Sequence, residues 1–113
     1  MSIARIDQGP RLSHGVVHGN IVYLAGQVSY GDSVTQQTHA VLGQIDALLA
    51  KAGTSKKNLL TATVWLADIT DFAEMNAVYD AWVADIGKPT RCTGEVKLPD
   101  PLHKVEIIIT ATL

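Results

Sequence analysis

Two stretches, Leu59-Leu60-Thr61-Ala62-Thr63-Val64-Trp65-Leu66-Ala67 and Val105-Glu106-Ile107-Ile108-Ile109-Thr110-Ala111-Thr112, are apolar or β-branched at nearly every position. Successive side chains of a strand point to opposite faces of its sheet. A strand apolar on both faces therefore needs cover on both, and the number of helices available to supply that cover limits the fold.

Only two helices are legible. Ser33 with Gln36 reads as a capping box for a helix running from about Val34 to Lys51. Val34, Val41, Ile45, Leu48 and Leu49 recur along it at helical spacing, and Gly53 stands where a left-handed cap belongs. The second helix follows Asp68-Ile69, with Asp71 and Glu74 as its capping pair and Gly87 and Pro89 as its stop. Phe72, Met75, Tyr79, Trp82, Val83 and Ile86 form a stripe read as core packing. Ahead of the first helix, Gly15–His18 and Ile21–Gly26 flank Gly19-Asn20, a two-residue connection suited to a tight hairpin. Thr90–Val96 is a further strand, and Pro99-Asp100-Pro101 marks the turn before the last one. The order β-β-α-β-α-β-β is an α+β pattern in which two helices cover one face of a single sheet. The other face stays apolar and bare, which predicts association of copies through it in a closed, cyclic assembly.

The 113 residues make one domain's worth of chain, read as a single domain over 1–113. Charged residues make up 18%, below the usual quarter, which fits a chain that hides part of its surface against another copy. The net charge of −2 and the lack of a basic stripe argue against a nucleic-acid partner. No apolar run approaches a membrane span and no basic-then-apolar leader opens the chain, so the expected location is cytoplasmic with no membrane partner. One cysteine and four scattered histidines offer neither an intrachain disulfide nor metal-ligand spacing.

The chemistry concentrates near the end. Arg91 opens one strand, and Glu106 sits among Val and Ile in the next. A guanidinium binds carboxylates with a two-pronged fork. A carboxylate in apolar surroundings is costly unless it is paired or working. Side by side, the two could hold an anionic substrate and handle a proton, or could form a half-buried structural ion pair. Cys92 falls on the opposite side of its strand from Arg91, and is read as a buried core cysteine rather than a nucleophile.

Three segments carry a resemblance over nearly the whole chain: Asn20-Ile21-Val22-Tyr23-Leu24-Ala25-Gly26-Gln27; Ala67-Asp68-Ile69-Thr70-Asp71-Phe72 running on to Asn76 and Tyr79; and Pro89-Thr90-Arg91, Leu98-Pro99 and Val105-Glu106-Ile107. In that order and spacing they resemble the Rid (YjgF/YER057c-type) family of reactive-intermediate deaminases, and most closely its small YoaB-like branch. The resemblance implies a chorismate-mutase-like fold, a single mixed β-sheet with two helices on one face. It also implies a homotrimer with sites in clefts between subunits, and no metal or organic cofactor. The implied activity is hydrolysis of amino-acid-derived enamines and imines of the 2-aminoacrylate type to 2-keto acids and ammonia. Carried over by position, Arg91 binds the substrate carboxylate, Glu106 positions or activates water, and the backbone near Thr93 holds the amino or imino end. Gly26 lets the backbone pass close to the ligand, and Asn76 walls the cleft or braces a loop. One segment departs from the pattern. Gly9-Pro10-Arg11-Leu12-Ser13-His14 has Leu12 where deaminating members carry a tyrosine. That departure supports an alternative, a non-catalytic trimer that binds or senses small carboxylates such as 2-keto acids, unless Ser13 or His14 replaces the phenol.

Overall fold

A computed structural model describes residues 2–113. It contains β1 (Ile3–Gln8), β2 (Ser13–His18), β3 (Ile21–Leu24), α1 (Val34–Ala52), β4 (Leu59–Leu66), α2 (Phe72–Trp82), β5 (Thr90–Glu95) and β6 (Val105–Thr112). Short 3-10 turns, Lys56–Asn58 and Ile69–Asp71, precede β4 and α2. The strands form one mixed sheet in the order β1-β2-β3-β6-β4-β5. Only β4 and β5, joined through α2, run parallel. The fold is α+β, as expected, with one strand more than the sequence suggested. The strand Ile3-Ala4-Arg5-Ile6-Asp7-Gln8 lacks apolar alternation, which hides it in the sequence; it is an exposed edge strand, and among the described residues it pairs with β2 alone.

The central strands sort their side chains by parity. Val105, Ile107, Ile109 and Ala111 of β6 are fully buried, as are Val64 and Leu66 of β4. These residues join Val41, Ile45 and Leu49 of α1 and Met75, Val78 and Tyr79 of α2 in one core. Each large aliphatic removed from water in this way contributes about 1.5–3 kcal/mol. The alternate residues, Glu106, Ile108 and Thr110 of β6 and Thr63 and Trp65 of β4, are only half covered and occupy the face without helices.

α1 begins and ends as expected. Ser33 Oγ accepts from the Gln36 N–H at 3.1 Å. Gly53 takes φ 90°, a left-handed conformation that glycine adopts without the Cβ clash other residues suffer. α2 departs from expectation at both ends. Asp71 makes no side-chain cap, and Glu74 instead accepts from the Thr35 N–H (3.2 Å) and hydroxyl (2.8 Å), tying α2 to the start of α1. The helix stops at Trp82, well before Gly87. Lysines satisfy the carbonyls there: Lys56 Nζ donates to Trp82 O (2.6 Å) and Lys88 Nζ to Ile86 O (2.7 Å).

Candidate functional site

Arg91 stands beside the buried Ala62 in the parallel β4–β5 pair, so it projects from the helix-covered face. Its guanidinium carbon lies 4.7 Å from the Tyr79 ring centroid and 5.8 Å from that of Phe72, both on α2. Residues 72, 76 and 79 recur at i, i+4 and i+7, which turns one side of α2 toward Arg91. A cavity of about 320 Å³ opens there, lined by Asn76, Tyr79, Asp80, Val83, Lys88, Pro89 and Arg91. Among the described residues the one ion pair joins Lys51 to Asp7, so Arg91 is held by aromatic faces and its fork is not occupied by a carboxylate. Two further polar atoms nearby are buried without a hydrogen-bond partner, Asn76 Oδ1 and Thr93 Oγ1. Burial pushes the Tyr79 phenol above its ordinary value, and the neighbouring Arg91 cation offsets part of that rise.

Glu106 belongs to a different place. It pairs across the sheet with Trp65 and projects from the face without helices. Gly26 reaches it through the bridge between Gln27 and Ile107, in which each backbone N–H donates to the other's carbonyl at 2.9 and 3.1 Å. The fit is close: a Cβ at Gly26 would run into the Glu106 carboxylate, with Cδ at 2.9 Å and Cγ at 3.2 Å. Glycine at this position is therefore a matter of space.

The expected side-by-side placement of Arg91 and Glu106 does not occur within one chain. Their strands flank β4 on opposite sides, and their β4 neighbours, Ala62 and Trp65, are three residues apart. Strand rise and spacing put the two backbones on the order of 14 Å apart, and the side chains leave through opposite faces. A structural ion pair between them within the chain is excluded for the same reason. The residues fall into two half-sites: Arg91, Asn76 and Thr93 on one, Glu106 and Gly26 on the other.

Other expectations were corrected. Cys92 is exposed, not core; it lies on the helix-free face with Sγ 3.7 Å from Thr63 Oγ1. Phe72 is 42% exposed, so the α2 stripe is not core throughout. Leu12 is also exposed. His14 is engaged elsewhere: its Nδ1 accepts from Gln27 Nε2 at 3.3 Å, and it shares an opening with Gln44, Leu48 and Lys51 of α1. Phe72 and Tyr79 were missed as neighbours of Arg91. The helical spacing from Asn76 was the available signal.

The sequence matches the profile of a family described as Endoribonuclease L-PSP over residues 2–113. A RutC family protein of Haemophilus influenzae is 48% identical over 115 residues, covering 99% of each chain. The RutC family protein YoaB of Escherichia coli is 45% identical over 114 residues, covering 100% of both. Among solved structures, NMB1025 of Neisseria meningitidis, a member of the YjgF protein family, superposes with a TM-score of 0.96 at 42% identity, covering 99% of this chain and 95% of that one.

Proposed function

Because the chain belongs to the Endoribonuclease L-PSP family, the group of the RutC and YjgF/Rid proteins, we propose that it is an imine and enamine deaminase working at intersubunit clefts of a homotrimer. Its substrates are 2-aminoacrylate-type intermediates, and its products are 2-keto acids and ammonia. One observation carries the reading: an arginine fork without a carboxylate partner stands beside two buried, unpartnered polar atoms. Unsatisfied buried polar groups are costly and uncommon, and a small carboxylate with a polar head would satisfy such a set.

In this reading the Arg91 fork takes the substrate carboxylate through two charge-assisted hydrogen bonds. The enamine gains a proton at its terminal carbon and becomes the imine. Water, with Glu106 of a neighbouring copy accepting its proton, adds to the imine carbon. The resulting carbinolamine releases ammonia and leaves the keto acid. Thr93 and its backbone would hold the nitrogen end in this reading, and Asn76 would close the wall. Since Arg91 and Glu106 leave opposite faces of one sheet, they can share a substrate only across two chains. The half-covered Ile108, Trp65 and Tyr23 supply a surface for that association.

A second reading, a carboxylate-binding trimer without turnover, is favoured by one feature, the exposed Leu12 in the segment where deaminating relatives carry a phenol. A nuclease reading gains nothing from a chain of net charge −2.

Complementation tests the proposal. Arg91→Ala and Glu106→Gln should each be nearly inactive toward freshly generated 2-aminoacrylate. Loss of a general base alone removes about 10²–10⁴-fold. Refolded together in equal amounts, the two variants should recover about a quarter of wild-type keto-acid release, the fraction of clefts that by chance draw both intact halves in a ring. Recovery of nothing would refute the shared cleft. Wild-type protein that binds keto acids without releasing product would establish the second reading.

A further inference from the structure

The chain has one phenylalanine, and it is not in the core. Phe72 opens α2 with 42% of its surface exposed, although a buried phenylalanine is among the most stabilising residues a small domain can use. Its ring is instead turned to the Arg91 guanidinium, 5.8 Å away, while the better buried Tyr79 supports the same group at 4.7 Å. One aromatic of the pair is largely buried at the cavity wall and the other is exposed beside the fork.

From this arrangement we infer that Phe72 is a specificity-determining residue, a flat platform beside Arg91 that favours carboxylates with a trigonal, conjugated second carbon over those with a tetrahedral one. The inference rests on the proposed role of Arg91 as the carboxylate fork. Two parallel N–H···O bonds hold a carboxylate in the plane of the guanidinium. In a 2-imino or 2-keto acid the C=N or C=O bond can lie in that same plane. The head of the ligand is then one π-layer thick and can rest on an aromatic ring as the guanidinium does. In a 2-hydroxy or 2-amino acid the tetrahedral carbon pushes a substituent out of the plane and toward the ring. The parent amino acids, which carry the same carboxylate on a tetrahedral carbon, would be rejected by shape.

The test compares pyruvate with L-lactate, equal in charge and nearly equal in size. Their dissociation constants are measured by calorimetry on wild type, Phe72→Leu, Phe72→Tyr and Arg91→Ala. The expected wild-type preference for pyruvate is roughly tenfold, the scale of one aromatic stacking contact. Phe72→Leu should shrink it to about twofold or less, mainly by weakening pyruvate, with an unchanged melting temperature. Phe72→Tyr, which keeps the ring, should restore it. A residue with a merely structural role would weaken both acids alike or lower the melting temperature, leaving the ratio intact. An unchanged ratio in Phe72→Leu, or no preference in wild type, overturns the platform while Arg91→Ala still abolishes binding of both acids. Equal binding by wild type and Arg91→Ala, or none by either, overturns the carboxylate fork and the platform with it.

Discussion

Two polar clusters in this molecule differ in how far they are satisfied. At the start of α1, Gln37 is completely buried, yet its Nε2 donates to Gly31 O and Leu102 O (both 3.0 Å) and its Oε1 accepts from the Lys104 N–H (2.7 Å). Thr38 next to it, equally buried, donates to Val34 O at 2.6 Å. At the α2–β5 seam, Asn76 Oδ1 and Thr93 Oγ1 are buried without partners and Arg91 leans on aromatic faces. Both clusters are polar groups in an apolar chain. The first is closed, and it clamps the loop before α1 to the segment that leads into β6. The second finds no hydrogen-bond partners within the chain. Degree of satisfaction, rather than residue type, separates scaffold from candidate site.

The largest effect should come from breaking the closed cluster. Gln37→Leu keeps the approximate volume but strands two carbonyls and one N–H, each costing about 1–3 kcal/mol when left unpaired. A loss of about 3 kcal/mol or more in urea denaturation is expected, without any specific effect on carboxylate binding. Asn76→Ala should behave oppositely. It removes an unpaired oxygen and installs a better helix former, so stability should hold or rise by up to about 0.5 kcal/mol while ligand affinity falls. Equal destabilisation by the two variants would erase the distinction.

Gly26→Ala should have an intermediate effect and touch only function. The new methyl would meet the mobile end of Glu106, which can swing aside at little cost to folding. A displaced carboxylate should lower turnover by about 10²-fold at a near-native melting temperature, since misplacements near 1 Å cost that much. Turnover equal to wild type would remove Glu106 from the reaction.

The smallest effect concerns a third cluster, at the surface. The Asp100 carboxyl is held below the usual carboxylate range, chiefly by the Leu102 N–H (2.8 Å) and then by the Tyr30 hydroxyl (2.7 Å). Its contribution is present above the ordinary aspartate value of about 3.9 and is lost as pH falls through its lowered folded value. The same bond raises the Tyr30 phenol above 10.0, a contribution complete below that value and lost as pH rises past the raised one. Asp100→Asn should bring Tyr30 ionisation back down in an alkaline absorbance titration. The Tyr79 phenol, raised mainly by burial, should stay where it is.

What could be read from the chain was local. The caps of α1 at Ser33 and Gly53 involve residues within a turn of each other, and both hold. The end of α2 depends on Lys56, from a segment that precedes β4, and so could not be read from the residues around Gly87. β1 owes its existence to pairing with β2 and carries little apolar pattern of its own. In the candidate site, Arg91 and Glu106 stood out by chemical type, charged groups in apolar strands. Their placement on opposite faces follows from two separate registers against β4, and neither register is written in the residues between them. Phe72 was assigned to the core by helical spacing, which marks a direction around the helix axis but not how far the neighbouring strand reaches to cover it.

The position of β6 in the sheet also bears on how the protein is made. The strand occupying residues 105–112 lies between β3 and β4, and every link between the early meander and the β4–α2–β5 unit within the sheet runs through it. During synthesis those two parts emerge from the ribosome with no common strand to pair on, and their apolar faces wait in water. The closing contacts, such as Ile21 with Thr112, span most of the chain, so their loop-closure entropy must be met before any of them stabilises the whole. Without β6 the chain would hold the β1–β3 meander and the β4–β5 pair as two unjoined pieces, and would lack Glu106.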